Sequence, residues 1–247
     1  MFQPTGPSLT NTEPLHLDSL TIFFPFYNEV DHVEALAASA IEVGRRFTDD
    51  LEVILVDDGS SDGTAELIDR LAAEHRDIIR AVHNETNGGY GSALKLGFRS
   101  ATKDWIFYTD GDGQFDLNEL DRVIALASEE RVVSPYRVNR KDTTLRKLNG
   151  WLWGRLMRVM FGLRIKDIDC AFKLYPKALI DQIELKSDGA LIDTEMLARA
   201  ERQGYDIVQT GVTHYPRKSG ESTGGNLRVI IRAFKEAWTL RESIRRS

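Results

Sequence analysis

Asp110 and Asp112 stand one residue apart in the stretch DGDGQFD, residues 110–116. Two carboxylates at that spacing, with Gln114 beside them, offer hard oxygen ligands to Mg²⁺ or Mn²⁺ and leave positions for water and for the oxygens of a substrate diphosphate. A cation held this way neutralises a departing diphosphate, so the chemistry suggested is transfer from a nucleotide-activated substrate. A calcium loop fails on position. Counting from Asp110, Phe115 falls where an EF-hand needs glycine and Asp121 where it needs glutamate, and the preceding run WIFYT reads as strand rather than helix. An acidic surface turn is the plain alternative.

Three more polar clusters follow apolar runs: PFYNE at 25–29, DDGSSDGT at 57–64 and NGGYGSA at 87–93. The second is also good turn and N-cap chemistry, and the third reads equally as a loop whose glycines let backbone approach a ligand. Pro25 cannot donate to a ladder, which favours a strand end over a central position.

These clusters need elements to carry them. Residues 20–27, 52–56, 78–82 and 105–109 are short runs rich in β-branched and aromatic residues, as doubly buried strands are. Between them, residues 30–47 and 64–75 repeat apolar residues at helical spacing. The alternation predicts an α/β fold: a mostly parallel central sheet with helices on both faces and ligands beyond the carboxyl ends of the strands. Residues 1–17 read as a loose tail, 18–225 as one domain and 226–247 as a C-terminal amphipathic helix.

The 247 residues are 42% apolar, enough for a sizeable core, and the single Cys170 excludes an intrachain disulfide or a cysteine zinc site. No run is long enough to span a bilayer, and the N-terminus does not resemble a signal peptide. A cytoplasmic protein with peripheral contact on the inner membrane face is expected, with no nucleic acid partner. The net charge of −6 is uneven: residues 1–136 carry 25 acids and 10 bases, residues 137–166 nine bases and one acid. The second segment suits an anionic ligand.

Taken in order, PFYNE, VDDGSSDGT, NGGYGSAL, DGDGQFD, DIDCAFKLY and HYPRKSGEST resemble the inverting family 2 glycosyltransferases of GT-A (nucleotide-diphospho-sugar transferase) fold. The resemblance runs from about Leu20 to Gly225 and is strongest to the dolichyl-phosphate mannose synthase and polyprenyl-phosphate glycosyltransferase branch. It implies that Pro25, Tyr27, Glu29, Val56 and Asp58 line the base and ribose pocket, with Asp57 in support. Asp110, Gly111 and Asp112 match the family's DxD, holding Mg²⁺ or Mn²⁺ and the diphosphate of a GDP- or UDP-sugar, and Gln114 matches its following glutamine. Asp167 matches an aspartate near the acceptor, and Arg217 a basic residue on the acceptor loop. Gly111 replaces the branch's usual alanine. Cys170-Ala171 replaces its Ser-Gly, Asp169 is added, and the processive enzymes' QxxRW is absent.

Two acceptors remain open. A hydroxyl needs a general base, for which Asp167 and Asp169 are candidates. A lipid phosphate is already ionised at neutral pH and needs cations, which Arg137, Arg140, Arg146, Arg217 and Lys218 can supply. Residues 145–163 spell an arginine-flanked helix with Leu145, Leu148, Leu152, Leu156, Val159 and Leu163 on one stripe. It reads as an interfacial helix, or as one packed on the sheet or a partner chain. The C-terminal segment repeats the theme with Leu227, Ile230, Ile231, Phe234 and Trp238, as a surface-lying or homodimer-forming helix. His214 is either catalytic or a loop histidine bonded to backbone, and Glu195 either an acceptor residue or a charge at a helix N-terminus. A non-catalytic nucleotide-sugar-binding protein and a nucleotide-sugar pyrophosphorylase are the rivals from other classes.

Overall fold

The structure, a computed structural model, describes residues 16–138, 154–189, 191–216 and 236–244. The first half alternates β1 (Leu20–Phe26), α1 (Val30–Gly44), β2 (Leu51–Asp57), α2 (Thr64–Glu74), β3 (Ile79–His83), α3 (Tyr90–Ser100) and β4 (Trp105–Thr109). After a short helix α4 (Leu120–Ile124) come β5 (Arg131–Val133), β6 (Tyr136–Val138), a helix α5 over 154–161, and β7 (Phe172–Pro176). Then follow α6 (Lys177–Gln182), α7 (Ile192–Arg202), β8 (Asp206–Val208), β9 (Gly211–Thr213) and a last helix α8 over 236–244.

Seven strands form one sheet in the order β3-β2-β1-β4-β7-β5-β8, parallel except where β7 runs antiparallel to β4 and β5. β6 and β9 make a separate parallel pair. Helices cover both faces, and adjacent residues of β1 show it. A Cβ on Gly44 of α1 would lie 3.1 Å from Ile22, while one on Gly97 of α3 would lie 2.4 Å from the Phe23 ring. Successive strand side chains point to opposite faces, so α1 and α3 sandwich the strand. This explains why β1 and β2 are apolar without alternation. Each fully buried Phe or Ile there contributes about 1.5–3 kcal/mol by leaving water.

The sequence did not reveal β7, which lies inside the DIDCAFKLYP stretch and pairs along all of β4, from Trp105↔Pro176 to Thr109↔Phe172. One boundary also differs. Leu17, assigned to the tail, is buried and donates its N–H to the Phe47 carbonyl at 2.7 Å. In α5, Met157 is buried while Val159, on the same apolar stripe, is 74% exposed, so the stripe is not covered along its length. In α8, Ala237, Leu240 and Ile244 pack inward and Trp238 is 62% exposed. Residues 145–153, 226–235 and 245–247 of the two expected helices lie outside the described residues. No helix among the described residues is long and apolar enough to cross a membrane.

Candidate active site

β1 pairs with β2 over seven residues but with β4 only from Leu20 to Phe23. Beyond Phe23 the two strands part at the sheet's switch point, where the chain has gone one way through β2 and β3 and returns on the other side as β4. The backbone of Phe26 faces β2, accepting from Asp58 N–H at 2.9 Å, so Pro25 faces the gap left by β4. A missing N–H costs nothing there, and this is how a proline sits within a central strand.

The opening is a cleft of about 670 Å³ walled by residues 25–29, Asp58, residues of the 87–93 loop and Asp110–Asp112. All four polar clusters therefore contribute to one place. Their parts divide between structure and chemistry. Ser60 to Thr64 act as turn and cap: Asn28 takes the left-handed φ of 54°, its N–H donates to Ser60 Oγ, and its Oδ1 accepts from Ser61 N–H. Asp62 accepts from Val30 N–H and Thr64. Burial works against its charge, but these hydrogen bonds prevail and hold Asp62 below the usual carboxylate range. Val56 is wholly buried in β2, and Asp57 accepts from Ser60 N–H at 3.1 Å and faces His83; neither forms part of the cleft wall.

The glycine loop lines the cleft, as its composition suggested. Its backbone amides are turned inward, Gly88 N–H and Gly89 N–H donating to the Asp58 carboxylate at 3.0 and 2.9 Å, with Asn84 adding a third bond at 2.7 Å. Gly91 is needed because a Cβ would lie 2.6 Å from the Asp188 carbonyl carbon. Asp58 is thus the staple that shapes this wall, and Tyr27, 49% exposed, offers its ring to the opening.

On the facing side, Asp110 accepts from the Tyr90 hydroxyl at 2.9 Å and Asp112 from Gln114 N–H at 3.1 Å. Burial, then the charge of Asp112, pushes Asp110 up to about 7. Burial also raises Asp112, against the Gln114 amide and the pull of His32 and Arg137. Two carboxylates that burial leaves reluctant to ionise, Asp110 the more so beside the charge of Asp112, are a donor set a dication would relieve. Among the described residues no group of three or more His, Cys, Asp or Glu forms a metal cage. Two carboxylates completed by substrate oxygens fit Mg²⁺ or Mn²⁺. Gly111 has a steric reason: a Cβ there would lie 2.4 Å from Phe26 and 2.7 Å from the Pro25 carbonyl oxygen. Gln114 gives its side-chain N–H to the Tyr215 carbonyl at 2.7 Å, and Tyr215 N–H returns to the Gln114 carbonyl. His214 bridges to Phe115 beside it, ring edge to ring face at 5.1 Å.

Asp167, expected near the acceptor, is grasped by Arg137 through Nε and Nη2, both at 2.8 Å, and through the Arg137 backbone N–H at 3.1 Å. Asp169 is raised to about 6 by burial and by Asp193, against Arg137. Glu195, wholly buried, accepts from the backbone of Lys186 and Ser187 and from Arg199, so it braces the 186–187 loop. Arg140, Arg146, Arg217 and Lys218 lie outside the described residues.

Sequence reasoning missed three groups. His32, one turn into α1, meets Glu29 at 3.1 Å and lies against Gly113; the Glu29–His32 spacing of three residues on a helix was the available signal. Lys173, fully buried, is neutralised by Asp193 at 2.5 Å, and Tyr108 donates to the same carboxylate. Tyr90 joins α3 to Asp110, and nothing in the spacing marks it.

The family model of glycosyl transferase family 2 matches residues 21–184. An undecaprenyl-phosphate 4-deoxy-4-formamido-L-arabinose transferase from Enterobacter sp. (strain 638) is 31% identical over 223 residues, 90% of this chain and 67% of that protein. The chain spans about two thirds or less of the length of the curated relatives it matches. Among solved structures, glucosyl-3-phosphoglycerate synthase from Mycobacterium tuberculosis, in complex with Mn²⁺, UDP and glucosyl-3-phosphoglycerate, superposes with a TM-score of 0.66 at 15% identity. That match covers 92% of this chain and 80% of the other. Mannosyltransferase PcManGT from Pyrobaculum calidifontis, in complex with GDP-Man and Mn²⁺, gives 0.64 at 19% identity, covering 98% and 68%. At such identities the likeness is one of fold, and the fold is that of the GT-A glycosyltransferases.

Proposed function

The chain belongs to glycosyl transferase family 2, and from that premise we propose that it is a metal-dependent inverting glycosyltransferase. It moves a sugar from a GDP- or UDP-sugar to a polyprenyl phosphate at a membrane surface. The observation that carries this is the Asp110–Asp112 pair in the cleft where β1 and β4 part, with Tyr27 and the Asp58-stapled loop on the same opening. Mg²⁺ or Mn²⁺, when bound, neutralises the charge that gathers on the departing diphosphate. The residues do the rest. Asp110 and Asp112 hold the diphosphate end of the donor, Tyr27 takes the base, and Asp58 fixes the loop that closes the pocket. The acceptor oxygen attacks the anomeric carbon from the side opposite the leaving group in one displacement.

A phosphate acceptor needs no base, and the named substrate of the undecaprenyl-phosphate relative supports that choice. Arg137 is neutralised by Asp167, so the cations that meet the phosphate are sought in residues 140–147 and 217–218. Exposed Trp238 and Val159 suit a peripheral contact with lipid. A second reading, transfer to a sugar hydroxyl, draws on Asp169: raised to about 6 and without the ion pair that occupies Asp167, it has the properties of a general base. The test screens UDP- and GDP-sugars with Mn²⁺ against a short-chain polyprenyl phosphate and a free sugar, following nucleoside diphosphate release. Release stimulated by the lipid phosphate and retained in Asp169→Asn supports the first reading; release stimulated by the sugar alone and lost in Asp169→Asn supports the second. Retention on anionic vesicles at low salt is expected, and flotation without the protein would remove the membrane contact.

A further inference from the structure

Tyr90 opens α3 at a point where the chain has little freedom. Immediately before it, Gly89 N–H is held by Asp58; immediately after it, Gly91 N–H donates to the Asp188 carbonyl at 3.0 Å. The ring is half-buried against the core, and its hydroxyl gives its only proton to Asp110 Oδ1 at 2.9 Å. Behind it the polar chain continues inward. The Tyr108 hydroxyl donates to Asp193 and accepts from Lys173 at 3.2 Å, and Lys173 is in turn fixed by the Cys170 carbonyl at 2.6 Å. Packing alone explains a ring at this position but not a hydroxyl. A phenylalanine would fill the same volume, and a phenol beside a carboxylate limits the rotation of that carboxylate.

The geometry points to Tyr90 as a positioning residue for the cation site: by binding Oδ1 of Asp110 it sets the plane of the carboxylate and leaves Oδ2 for the metal. This rests on the metal reading above. It adds that the glycine loop and the metal pair form one unit, because the Asp58 staple that shapes the nucleotide wall also fixes the helix start from which Tyr90 reaches Asp110. Partners that hold a ligating side chain in place are commonly worth about 10–100-fold in metal affinity.

The test is Mn²⁺ binding, read by the loss of the free-ion electron paramagnetic resonance signal, with Mn²⁺ alone and with GDP or UDP added. It compares the wild-type chain, Asp112→Asn and Tyr90→Phe, with melting temperature as a control. The wild type should bind, Asp112→Asn should not, and Tyr90→Phe should bind about 10–100-fold more weakly at an unchanged melting temperature. In turnover, Tyr90→Phe should raise the Mn²⁺ concentration needed for half-maximal rate and leave the rate at saturating Mn²⁺ nearly intact, which a merely loosened fold would not do. Tyr90→His, which keeps a ring N–H donor, should lie between the two. Equal Mn²⁺ affinity in Tyr90→Phe and wild type, with Asp112→Asn impaired, would overturn the inference and leave the metal reading standing. Absence of Mn²⁺ binding in the wild type would overturn both. A Tyr90→Phe chain that no longer unfolds cooperatively, with Tyr90→His folded but no tighter for Mn²⁺ than Asp112→Asn, would assign the hydroxyl to stability and also overturn it.

Discussion

Replacing Asp110 by Asn in the metal-free protein is expected to raise its thermal stability, and to raise it more as the pH increases. Burial and the charge of Asp112 push Asp110 from 3.8 to about 7. An acid whose pKa is higher in the folded than in the unfolded chain lends stability that is complete below the unfolded value. That stability is lost as pH rises through the folded value, because the folded chain must give up a proton it holds more tightly. A difference of about three units corresponds to about 4 kcal/mol at 1.36 kcal/mol per unit. The carboxyl keeps some contact with the open cleft, and solvent screening brings the figure to about 2 kcal/mol. Asn carries no charge at any of these pH values and keeps an oxygen for the Tyr90 hydroxyl, so it escapes the penalty. For a chain of this size about 2 kcal/mol is worth about 4–8 °C. Thermal unfolding followed by circular dichroism in EDTA, from about pH 4.5 to about pH 8.5, should show the Asn variant gaining little at the acid end, its advantage growing up to about pH 7 and level above it. Added Mn²⁺ should then stabilise only the wild type. An Asn variant that is no more stable than wild type at pH 8, or whose gain is the same at every pH, would refute the reasoning.

Two further substitutions probe the walls of the cleft, and a third the Arg137–Asp167 pair. Gly111→Ala places a Cβ 2.4 Å from Phe26 and should cost about 1–3 kcal/mol, measured by urea unfolding, together with the Mn²⁺ affinity. Asp58→Asn leaves an N–H donor facing the amides of Gly88 and Gly89 and should cost about 1–3 kcal/mol while weakening nucleoside diphosphate binding in calorimetry; unchanged binding would detach the loop from the donor site. Asp167→Asn frees Arg137 from a bidentate pair and should lower stability by about 1.5–3 kcal/mol, read by chemical denaturation; an unchanged midpoint would mean the pair is broken in solution.

Much of this architecture was legible because its signals are local. Strands buried on both faces read as unbroken apolar runs, and β4 begins and ends where its run WIFYT does. The spacing of Asp110 and Asp112 at a strand end was legible in the same way, and both line the cleft. What escaped depends on contacts between distant residues. β7 was hidden because its residues FKLYP sit in a stretch that reads as a motif, and β5 and β8, three residues each, are too short to show a period. The glycine loop reaches the cleft as its glycines suggested, but that its amides go to Asp58, thirty residues upstream, could not be read from spacing. Asp167 and Asp169 could not be separated from sequence, since their difference lies in which one Arg137 reaches across the fold. Tyr90 is twenty residues from Asp110, and only the packing of α3 against the sheet brings the two together.

Calorimetric titration of GDP and UDP into the wild-type chain and into Asp112→Ala, each with Mn²⁺ and with EDTA, bears most directly on the claim that these carboxylates hold a cation that carries an activated sugar's diphosphate. At least one of the two nucleotides should bind the wild type strongly only when Mn²⁺ is present, and Asp112→Ala should lose that dependence together with most of the affinity. Binding of equal strength in EDTA, or an Asp112→Ala chain that responds to Mn²⁺ as the wild type does, would contradict it.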